Sequence, residues 1–334
     1  MAKFFNVKVS DVRRETVDSV SLALDIPAEA KDAFKYTQGQ YITFKVNVNG
    51  EELRRSYSIC SSPVADSEIR VAVKKVEGGK VSTYFNESLK VGDELPVMPP
   101  MGNFNSPLNS SNKKHYVLFA GGSGITPMIS ILKTSLEVET QSKVTLFYGN
   151  QDEEAIIFKS ELDKLAQKYQ GRLNIHHILN EPKLSENKQD SMFVGIMMPD
   201  KNKALLQKFV NMNEDIEIFI CGPAGMMASV EETCNLLKVD KKRVHLEYFT
   251  APADTSETVK SPGGAEGSTF ESKVKIISDG EEYNLTLGAD DVILDAALDA
   301  NIDAPYACRG GSCCTCRAKL LEGKVVMKVN YALL

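Results

Sequence analysis

This sequence has no excess of positive charge and no long apolar runs. The chain carries 39 Lys and Arg residues against 45 Asp and Glu residues, a net charge of −6 at pH 7. This balance argues against a nucleic-acid partner, because phosphate groups are bound by basic surfaces. The N-terminal segment MAKFFNVKVSDVRRE lacks the apolar run of a signal peptide, and no segment is apolar over the length of a membrane span. We therefore expect a cytoplasmic protein with no membrane partner.

A disulfide framework is also missing, although the chain contains seven cysteines. The number is odd, and four of the seven lie within nine residues, which does not fit paired disulfides. Cys60, Cys221 and Cys234 are scattered through apolar or Gly-rich segments, so each is interpreted as a small buried core residue. The four clustered cysteines require a different explanation.

The clustered cysteines lie in the segment CRGGSCCTC, from Cys308 to Cys316. Cys308, Cys313 and Cys316 have the C-x4-C-x2-C spacing with which plant-type ferredoxins bind a 2Fe–2S cluster. Gly310 and Gly311 allow backbone N–H groups to point at sulfur and offset its negative charge. Zinc is the chemical rival, but structural zinc sites use paired C-x2-C or Cys/His units, and only one C-x2-C occurs here. The spacing therefore predicts three ligands of an iron–sulfur cluster.

A 2Fe–2S cluster requires four thiolates, and no cysteine follows Cys316 before the last residue, Leu334. Three explanations are open, and we rank them in this order. The sequence is a fragment of a longer protein, it is a natural truncation that has lost the cluster, or Cys314 replaces the fourth ligand. Cys314 adjoins Cys313, and neighbouring side chains in a tight loop rarely reach the same pair of metal ions.

Strand-like segments dominate the first third of the chain. They include FFNVKVSDV, SVSLALDI, QYITFKVNV, RSYSIC and EIRVAVKKV, separated by Gly, Pro and Asn turns, with one short helix predicted at 81–89. Many short strands and few helices indicate an antiparallel β-barrel. The polar segment 105–114 that follows is predicted to be a linker.

Strands then alternate with helices. Buried strands such as HYVLFAGG and KVTLFYG precede helices predicted at 126–138, 153–169 and 224–238, a pattern typical of an α/β domain with a doubly wound parallel sheet. A later segment rich in Pro, Ser, Thr, Gly and Ala predicts a flexible linker, and a hairpin and a short helix precede the cysteines. The predicted domains are a β-barrel (1–108), an α/β domain (113–250), a linker (251–268) and an incomplete third domain (269–334).

Two glycine-rich turns follow strands and open helices in the α/β domain. GGSGITPM runs from Gly121 to Met128, and CGPAGMM runs from Cys221 to Met227. Glycine lets the backbone approach a pyrophosphate group, and a helix N-terminus favours its negative charge. One such turn is a weak signal. Two turns at the C-terminal ends of parallel strands define one crevice, where sheets of this kind bind ligands.

Two segments of the predicted barrel carry groups suited to a planar, phosphorylated ligand. RSYS, from Arg55 to Ser58, combines a cation for a phosphate or ring carbonyl, an aromatic ring that can stack, and hydrogen-bonding hydroxyls. GGKVST, from Gly78 to Thr83, adds a Gly-rich turn with a cation before a short helix. Each segment taken alone would be an ordinary strand or turn.

The order of these motifs resembles that of the ferredoxin–NADP reductase superfamily over residues 1–250. The motifs are, in chain order, RSYS, GGKVST, GGSGITP, CGPAGMM and the closing EYF. The resemblance implies a flavin site made by Arg55, Tyr57 and Ser58 at the ring and ribityl phosphate, and by Lys80, Val81, Ser82 and Thr83 at the pyrophosphate. It implies a nicotinamide nucleotide site made by Gly121, Gly122, Gly124, Thr126, Pro127, Cys221, Gly222 and Pro223. Within these sites we predict that hydride transfer occurs beside Thr126, Cys221 and Glu247.

The domain order resembles the reductase subunits of multicomponent oxygenases, with a C-terminal β-grasp ferredoxin domain that is incomplete here. The segment PYACRGGSCCTCRAKLLEGKV is similar to the cluster loop of the reductase subunits of phenylacetyl-CoA epoxidases. The resemblance implies FAD, NADPH or NADH, and a 2Fe–2S cluster as cofactors. It also implies electron transfer from NAD(P)H to an oxygenase component, with phenylacetyl-CoA epoxidase as the expected partner. Two alternatives stay open: a flavin-only NAD(P)H oxidoreductase with a vestigial cluster domain, and a non-enzymatic subunit that docks on an oxygenase.

The choice between NADPH and NADH also stays open. A 2′-phosphate needs a nearby cation, but Asp152, Glu153 and Glu154 follow the second strand of the α/β domain, after Gln151. An acidic residue beside the ribose favours NADH, whereas the family resemblance favours NADPH. Lys159 is an alternative cation for the phosphate.

Overall fold

The structure is a computed structural model that describes residues 3–188, 190–249, 271–288, 291–327 and 329–331. The predicted linker at 251–268 lies outside the described residues. Three β-sheets, of six, five and two strands, organise the described part of the chain. Within it, no helix combines the length and apolar character needed to cross a bilayer.

The first sheet is antiparallel and contains six strands: β1 (Phe5–Thr16), β2 (Ser19–Asp25), β3 (Tyr41–Val48), β4 (Glu51–Ser58), β5 (Ile69–Lys74) and β6 (Glu94–Met101). Their order is β4-β3-β6-β1-β2-β5. Just beyond β4, Ile59 forms a bridge with Val71 of β5, and the Cys60 N–H donates to the Arg70 carbonyl at 2.8 Å. This contact joins the two edge strands and produces the predicted β-barrel.

The barrel interior is filled by alternate residues of its strands, as the pleat of a strand requires. Pairs such as Val7 and Val9 of β1 are fully buried. Helix α1 (Lys80–Glu87) packs on this core through Val81 and Phe85, which lie four residues apart and so on one helical face. The helix predicted at 81–89 is therefore confirmed, with its ends slightly earlier.

The second sheet is parallel and contains five strands: β7 (His115–Gly121), β8 (Lys143–Asn150), β9 (Leu173–Leu179), β10 (Ile216–Cys221) and β11 (Val244–Glu247). Four helices accompany it: α2 (Ile125–Val138), α3 (Lys159–Lys168), α4 (Pro199–Phe209) and α5 (Ala224–Leu236). The strand order is β11-β10-β7-β8-β9. The chain therefore leaves β7 in one direction and returns on its other side at β10, which confirms the predicted doubly wound sheet.

One helix prediction in this domain was wrong at its start, and one helix was not predicted. The helix predicted at 153–169 starts only at Lys159, after a short 3₁₀ turn at Glu153–Ala155. Phe158 adopts the left-handed conformation, with φ of 63°, and is buried with Ile156 and Ile157 in the core. Burial of this apolar run thus overrides its helical propensity. Helix α4 was not predicted, although Pro199 occupies its first position.

The β-barrel and the α/β domain share a hydrophobic core. Cys60, Ala72 and Phe104 belong to the same buried cluster as residues of α2 and of strands β7, β8 and β10. Beside this cluster, the Ser130 hydroxyl of α2 donates to the Ser61 carbonyl at 2.6 Å. The loop that follows β4 is therefore fixed directly on α2.

The C-terminal region contains an antiparallel hairpin of β12 (Ser272–Ser278) and β13 (Glu281–Leu287), followed by α6 (Ile293–Asp299). This confirms the predicted hairpin and helix. All members of the three large hydrophobic clusters lie between residues 5 and 248. The C-terminal region instead leaves many large apolar side chains exposed: Ile277, Val292, Ile293, Leu320, Leu321, Val325, Val326 and Met327.

Candidate functional site

The two glycine-rich turns lie side by side where the order of the parallel sheet reverses. β7 ends at Gly121 and the adjacent β10 ends at Cys221. The Tyr148 hydroxyl donates to the Gly122 carbonyl at 3.0 Å and holds the first turn in place. Doubly wound sheets bind ligands in the crevice at this reversal point. The position and the backbone of the turns thus suit the predicted nucleotide site.

Close packing between the turns explains their glycines. A Cβ atom on Gly124 would lie 2.1 Å from the Cys221 carbonyl oxygen, and one on Gly121 would lie 2.6 Å from Cδ of Pro223. Real Cβ atoms essentially never come closer than 3.0 Å to such neighbours. Gly222 is similarly confined, by the backbone of Gly121 at 2.9 Å. A side chain at any of these positions would force the two turns apart.

Thr126 and Pro127 lie in the first turn of α2. Thr126 is buried, and its hydroxyl donates to the Ser123 carbonyl at 3.0 Å. Pro127 lacks an N–H group, which costs nothing at a position where that group has no partner within the helix. Both residues thus stabilise the turn, and their contact with a nucleotide stays a prediction.

Cys221 and Glu247 are paired on adjacent parallel strands, β10 and β11. Cys221 is fully buried, and burial, followed by the nearby charge of Glu247, raises the pKa of its thiol. Glu247 keeps part of its side chain accessible, yet burial raises the pKa of its carboxyl group to about 8. At neutral pH the pair is therefore mostly uncharged, and Glu247 can act as a hydrogen-bond donor.

The predicted flavin motif lies at the end of β4. The ring centre of Tyr57 lies 6.0 Å from that of Phe44 and 5.4 Å from that of Phe85, and burial raises the pKa of the Tyr57 phenol. Arg55 is exposed and lies on the same face of the strand as Tyr57, because residues two apart share a face. Ser58 is buried at the strand end. The structure thus brings an accessible cation and a fixed ring together.

The first turn of α1 divides its predicted ligand residues into two groups. Val81 and Ser82 are buried, and the Ser82 hydroxyl bridges the backbone of the preceding turn, accepting at 3.1 Å and donating at 3.2 Å. Lys80 pairs with Glu51 at the surface, and Thr83 is partly accessible. Lys80, Thr83 and the free backbone N–H groups of the helix start are therefore the groups placed to bind a phosphate.

The loop after the C-terminal end of β8 carries groups that were not predicted from the sequence. Asn150 is buried, and neither polar atom of its amide has a hydrogen-bond partner among the described residues. Lys183 pairs with Asp152 at 2.9 Å and with Glu154 at 2.5 Å, and its hydrogen bond lowers the pKa of Asp152. Lys159 pairs with an aspartate one turn along α3, at 3.4 Å. Both candidate cations are thus engaged by carboxylates.

The cysteine segment forms a loop that directs backbone N–H groups at sulfur. Cys308 Sγ accepts from the N–H groups of Gly310 and Cys313, each at 3.4 Å. The hydrogen bond from the Cys313 thiol, together with these backbone bonds, lowers the pKa of the Cys308 thiol to about 5. Such a loop suits an iron–sulfur cluster, whose sulfur atoms accept the same bonds. The backbone of the loop therefore fits the predicted group.

The structure brings only part of the predicted ligand set together. Cys308 and Cys313 are in contact, whereas Cys316 is partly buried further along the loop. Over the parts of the chain that the structure describes, no three Cys, His, Asp or Glu side chains converge as a metal-binding group. Cys314 contacts the β-barrel instead, with its Sγ 3.3 Å from the Tyr41 hydroxyl. This contact does not favour Cys314 as the fourth ligand.

Three domain families match this chain. Residues 6–106 match the oxidoreductase FAD-binding domain, residues 118–232 match the oxidoreductase NAD-binding domain, and residues 276–333 match the 2Fe-2S iron-sulfur cluster binding domain. These matches cover both predicted flavin motifs, both glycine-rich turns and the cysteine segment. The predicted cofactor classes are confirmed, and the choice between NADPH and NADH is not affected.

The chain is also similar to individual proteins over at least 94% of its length. It is 39% identical to a component of the 1,2-phenylacetyl-CoA epoxidase of Escherichia coli (strain K12), over 100% of this chain and 91% of that protein. It is 33% identical to the ferredoxin reductase component of 3-ketosteroid-9-alpha-monooxygenase from Rhodococcus rhodochrous, over 96% and 87% of the two chains. The solved structure of phthalate dioxygenase reductase superposes on 94% of this chain and 85% of that one, with a TM-score of 0.59 at 23% identity. This likeness confirms the predicted fold class of three domains.

Proposed function

Because the chain belongs to the ferredoxin–NADP reductase family and is an oxidoreductase with FAD-binding, NAD-binding and 2Fe–2S domains, we propose that it is the reductase component of a multicomponent oxygenase. The proposed oxygenase is a phenylacetyl-CoA epoxidase. The observation that carries this proposal is the 39% identity to the epoxidase component along the entire chain. The similar reductases of 3-ketosteroid and glycine betaine monooxygenases support an oxygenase partner in general.

The barrel would hold the flavin with the groups that its strands expose. FAD, when bound, takes two electrons from a nicotinamide and passes them on one at a time. Tyr57 offers its ring for stacking, and Arg55 offers its guanidinium to a phosphate or ring carbonyl. The pyrophosphate would be held by Lys80 and by the N–H groups at the start of α1. These roles follow from exposure and chemistry, and Lys80 must exchange its partner Glu51 for the phosphate.

The two glycine-rich turns would hold and orient the nicotinamide nucleotide. Their mutual packing fixes the backbone N–H groups at the start of α2, where a pyrophosphate is favoured. Cys221 and Glu247, at the ends of adjacent strands, would line the path between the nicotinamide and the flavin. A protonated Glu247 keeps this path free of negative charge and can donate a hydrogen bond.

The groups after β8 support NADH rather than NADPH as the electron donor. A 2′-phosphate would approach the carboxylates of Asp152, Glu153 and Glu154, and the nearby Lys183 is already paired with two of them. Repulsion between the phosphate and these carboxylates disfavours binding of the 2′-phosphate.

Reconstitution tests the proposed partner. The purified protein is mixed with NADH and, in parallel, with the oxygenase components of a phenylacetyl-CoA epoxidase and of a 3-ketosteroid monooxygenase. We expect oxygenation of phenylacetyl-CoA to exceed that of the steroid at equal reductase concentration. Steroid oxygenation alone would reject the proposed partner and keep the reductase activity.

A flavin-only oxidoreductase is the second candidate. It is favoured by one observation, that no three metal-binding side chains converge among the described residues. Cys308, Cys313 and Cys316 would supply three of the four thiolates that the cluster requires in the first proposal, so about two irons per flavin are expected for it when a fourth ligand is present. Iron near zero, with normal flavin content and NADH-driven dye reduction, would establish the second candidate instead.

A further inference from the structure

A buried tyrosine hydroxyl joins the cysteine segment to the β-barrel. The hydroxyl oxygen of Tyr41 lies 3.3 Å from Cys314 Sγ and 3.1 Å from Thr315 Oγ1. Tyr41 is 4% exposed, Cys314 9% and Thr315 1%. A buried polar group without a partner is costly, so these three groups satisfy each other only while the segment stays docked on the barrel.

The barrel holds the ring of Tyr41 in a fixed position. Tyr41 opens β3 and pairs with Ser58 of β4 on one side and with Met101 of β6 on the other. Gly102 has φ of 117°, and a Cβ atom there would lie 3.1 Å from the Tyr41 ring. The docking hydroxyl is therefore anchored one strand away from Ser58, a predicted flavin residue.

A second contact docks the other end of the cysteine segment on β4. The guanidinium of Arg54 lies 4.2 Å from the ring centre of Tyr306 and 5.1 Å from that of Phe4. The Arg54 side chain is only 11% exposed, and its Nε and Nη1 atoms have no hydrogen-bond partner in the described structure. Its Nη2 donates to Glu52 Oε1 at 3.3 Å, and stacking between the two rings is the further interaction of this cation. Tyr306 lies two residues before Cys308, so contacts with the barrel occur at both ends of the segment.

The α/β domain supports the same segment from another direction. The rings of Tyr248 and Tyr331 lie 4.8 Å apart, and the Tyr331 N–H donates to the Gly311 carbonyl at 3.0 Å. Tyr248 directly follows Glu247. The cysteine segment therefore lies at the junction of both nucleotide-binding domains.

We propose that Tyr41 is a positioning residue whose hydroxyl, by binding Cys314 and Thr315, fixes the cysteine segment beside the flavin site. The assignment gives Cys314 a docking role in place of a metal-binding one. Its consequence for electron transfer rests on the proposed function, because rapid transfer requires the two centres to be held close together. The docking contact itself does not depend on that function.

Hydrogen–deuterium exchange of the whole protein tests the docking role. In Tyr41→Phe, exchange of the amides at 306–317 should rise about fivefold, the factor that corresponds to one lost hydrogen bond. Tyr36→Phe is the matched control, since the Tyr36 hydroxyl bonds to Ser61 Oγ at 2.9 Å within the barrel. It should leave these amides unchanged. Equal exchange in the wild type and Tyr41→Phe, or an equal rise in both variants, would overturn the proposal.

Two substitutions of Cys314 separate docking from metal binding. Cys314→Ser keeps a group that can bond to the Tyr41 hydroxyl, so protection at 306–317 and iron content should match the wild type. Cys314→Val should raise exchange less than Tyr41→Phe does, because it leaves the contact between the Tyr41 hydroxyl and Thr315 in place. It should add little to Tyr41→Phe in the double variant, since the contact that it removes is already lost there. Loss of iron in Cys314→Ser would mean that Cys314 is a ligand and would overturn the assignment. Because exchange is measured with or without iron, failure of docking is distinguishable from failure of the proposed function.

The consequence for electron transfer is read from a ratio of two activities. Under the proposed function, cytochrome c receives its electrons through the iron–sulfur cluster, whereas ferricyanide, a small one-electron acceptor, receives them directly from the flavin. Tyr41→Phe should lower the ratio of cytochrome c to ferricyanide reduction by about fivefold, and Tyr36→Phe should leave it unchanged. An unchanged ratio in Tyr41→Phe would show that the contact does not position the segment for transfer.

Discussion

The nucleotide-binding domains and the C-terminal region position their functional groups in different ways. The barrel and the α/β domain bury a shared core, and the turns at Gly124 and Cys221 pack backbone against backbone. In the C-terminal region, the residues that the structure describes form a two-stranded sheet and one short helix, and many of their apolar side chains are exposed. Its cysteine loop is fixed by contacts to the other domains through Tyr41, Arg54 and Tyr331.

This difference teaches how precision is obtained in each site. Close packing of a large core holds a backbone turn without any ligand, because every displacement costs contacts. A small region buries too few contacts to fix its backbone in this way, so its geometry depends on docking to other domains and on metal binding. Damage to the cysteine loop should therefore leave the nucleotide sites intact. Damage to the nucleotide sites, in contrast, should also impair the cysteine loop.

Removal of a predicted cluster ligand should separate the two regions most strongly. In Cys308→Ala, cytochrome c reduction should fall more than about a hundredfold, since loss of a ligand exceeds the ten- to hundredfold cost typical of its outer-shell partners. NADH-driven ferricyanide reduction should persist, because the core does not depend on the loop. Cys234→Ala, a buried cysteine of α5, is the control and should keep both activities. Equal loss of both activities in Cys308→Ala would contradict the independence of the core.

Damage to the packed turns should abolish output from both regions. In Gly124→Ala, the new Cβ atom would lie 2.1 Å from the Cys221 carbonyl oxygen, so the turns must separate. We expect NADH-driven ferricyanide reduction to fall roughly a hundredfold, as a displacement of about 1 Å can cause. Gly225→Ala in the second turn meets no atom within 4 Å and should be nearly neutral. Stopped-flow flavin reduction measures both, and full activity in Gly124→Ala would show that the close contact is dispensable.

Side chains at the sheet edge should alter the choice of nucleotide without loss of fold. Gln151→Arg places a cation beside the carboxylates that follow β8, and should raise the NADPH to NADH ratio of kcat/KM about tenfold, the value of one charged hydrogen bond. Gln207→Arg, on the exposed face of α4, adds the same charge elsewhere and should not change the ratio. A wild-type preference for NADPH would contradict the role assigned to the acidic residues.

The smallest expected effect is the contribution of Glu247 to the pH dependence of the unfolding free energy. The pKa of its carboxyl group is raised to about 8 in the folded protein, above the pKa in the unfolded chain. At pH values between these two pKa values, Glu247 is therefore protonated in the folded protein and ionised in the unfolded chain. The unfolding free energy should therefore fall as pH rises from about 4.5 to 8. Glu247→Gln should remove this component and be more stable than the wild type at pH 9 by roughly 2 kcal/mol, a figure reduced for partial exposure.

Urea titrations at pH 5 and pH 9 measure this difference. Gln207→Ala, on the exposed face of α4, removes no ionisable group and provides the control. An identical pH dependence in wild type and Glu247→Gln would show that the carboxyl group is not shielded from solvent as described.

Local sequence patterns predicted much of the fold and the site backbone. The turns at Gly121 and Cys221 were identifiable because their glycines follow strands, and a strand-to-helix turn is a local event. The left-handed Phe158 was not, because its conformation is set by burial against residues distant in the chain. Tyr41 was missed for the same reason, since its partners lie 273 and 274 residues away and no motif surrounds it. Spacing finds ligands on one loop, whereas docking partners require the tertiary structure.

The core shared by the barrel and the α/β domain also constrains how such proteins can be recombined. Exchanging one of these two domains for a homologue would place foreign side chains against Cys60, Ala72 and Phe104. Joining a different acceptor module after Phe249 would instead change only docking contacts such as those of Tyr41 and Arg54. Chimeras built at the second boundary should fold readily and need redesign at only a few surface positions. The two nucleotide-binding domains should therefore be exchanged together, whereas the C-terminal region can be exchanged separately.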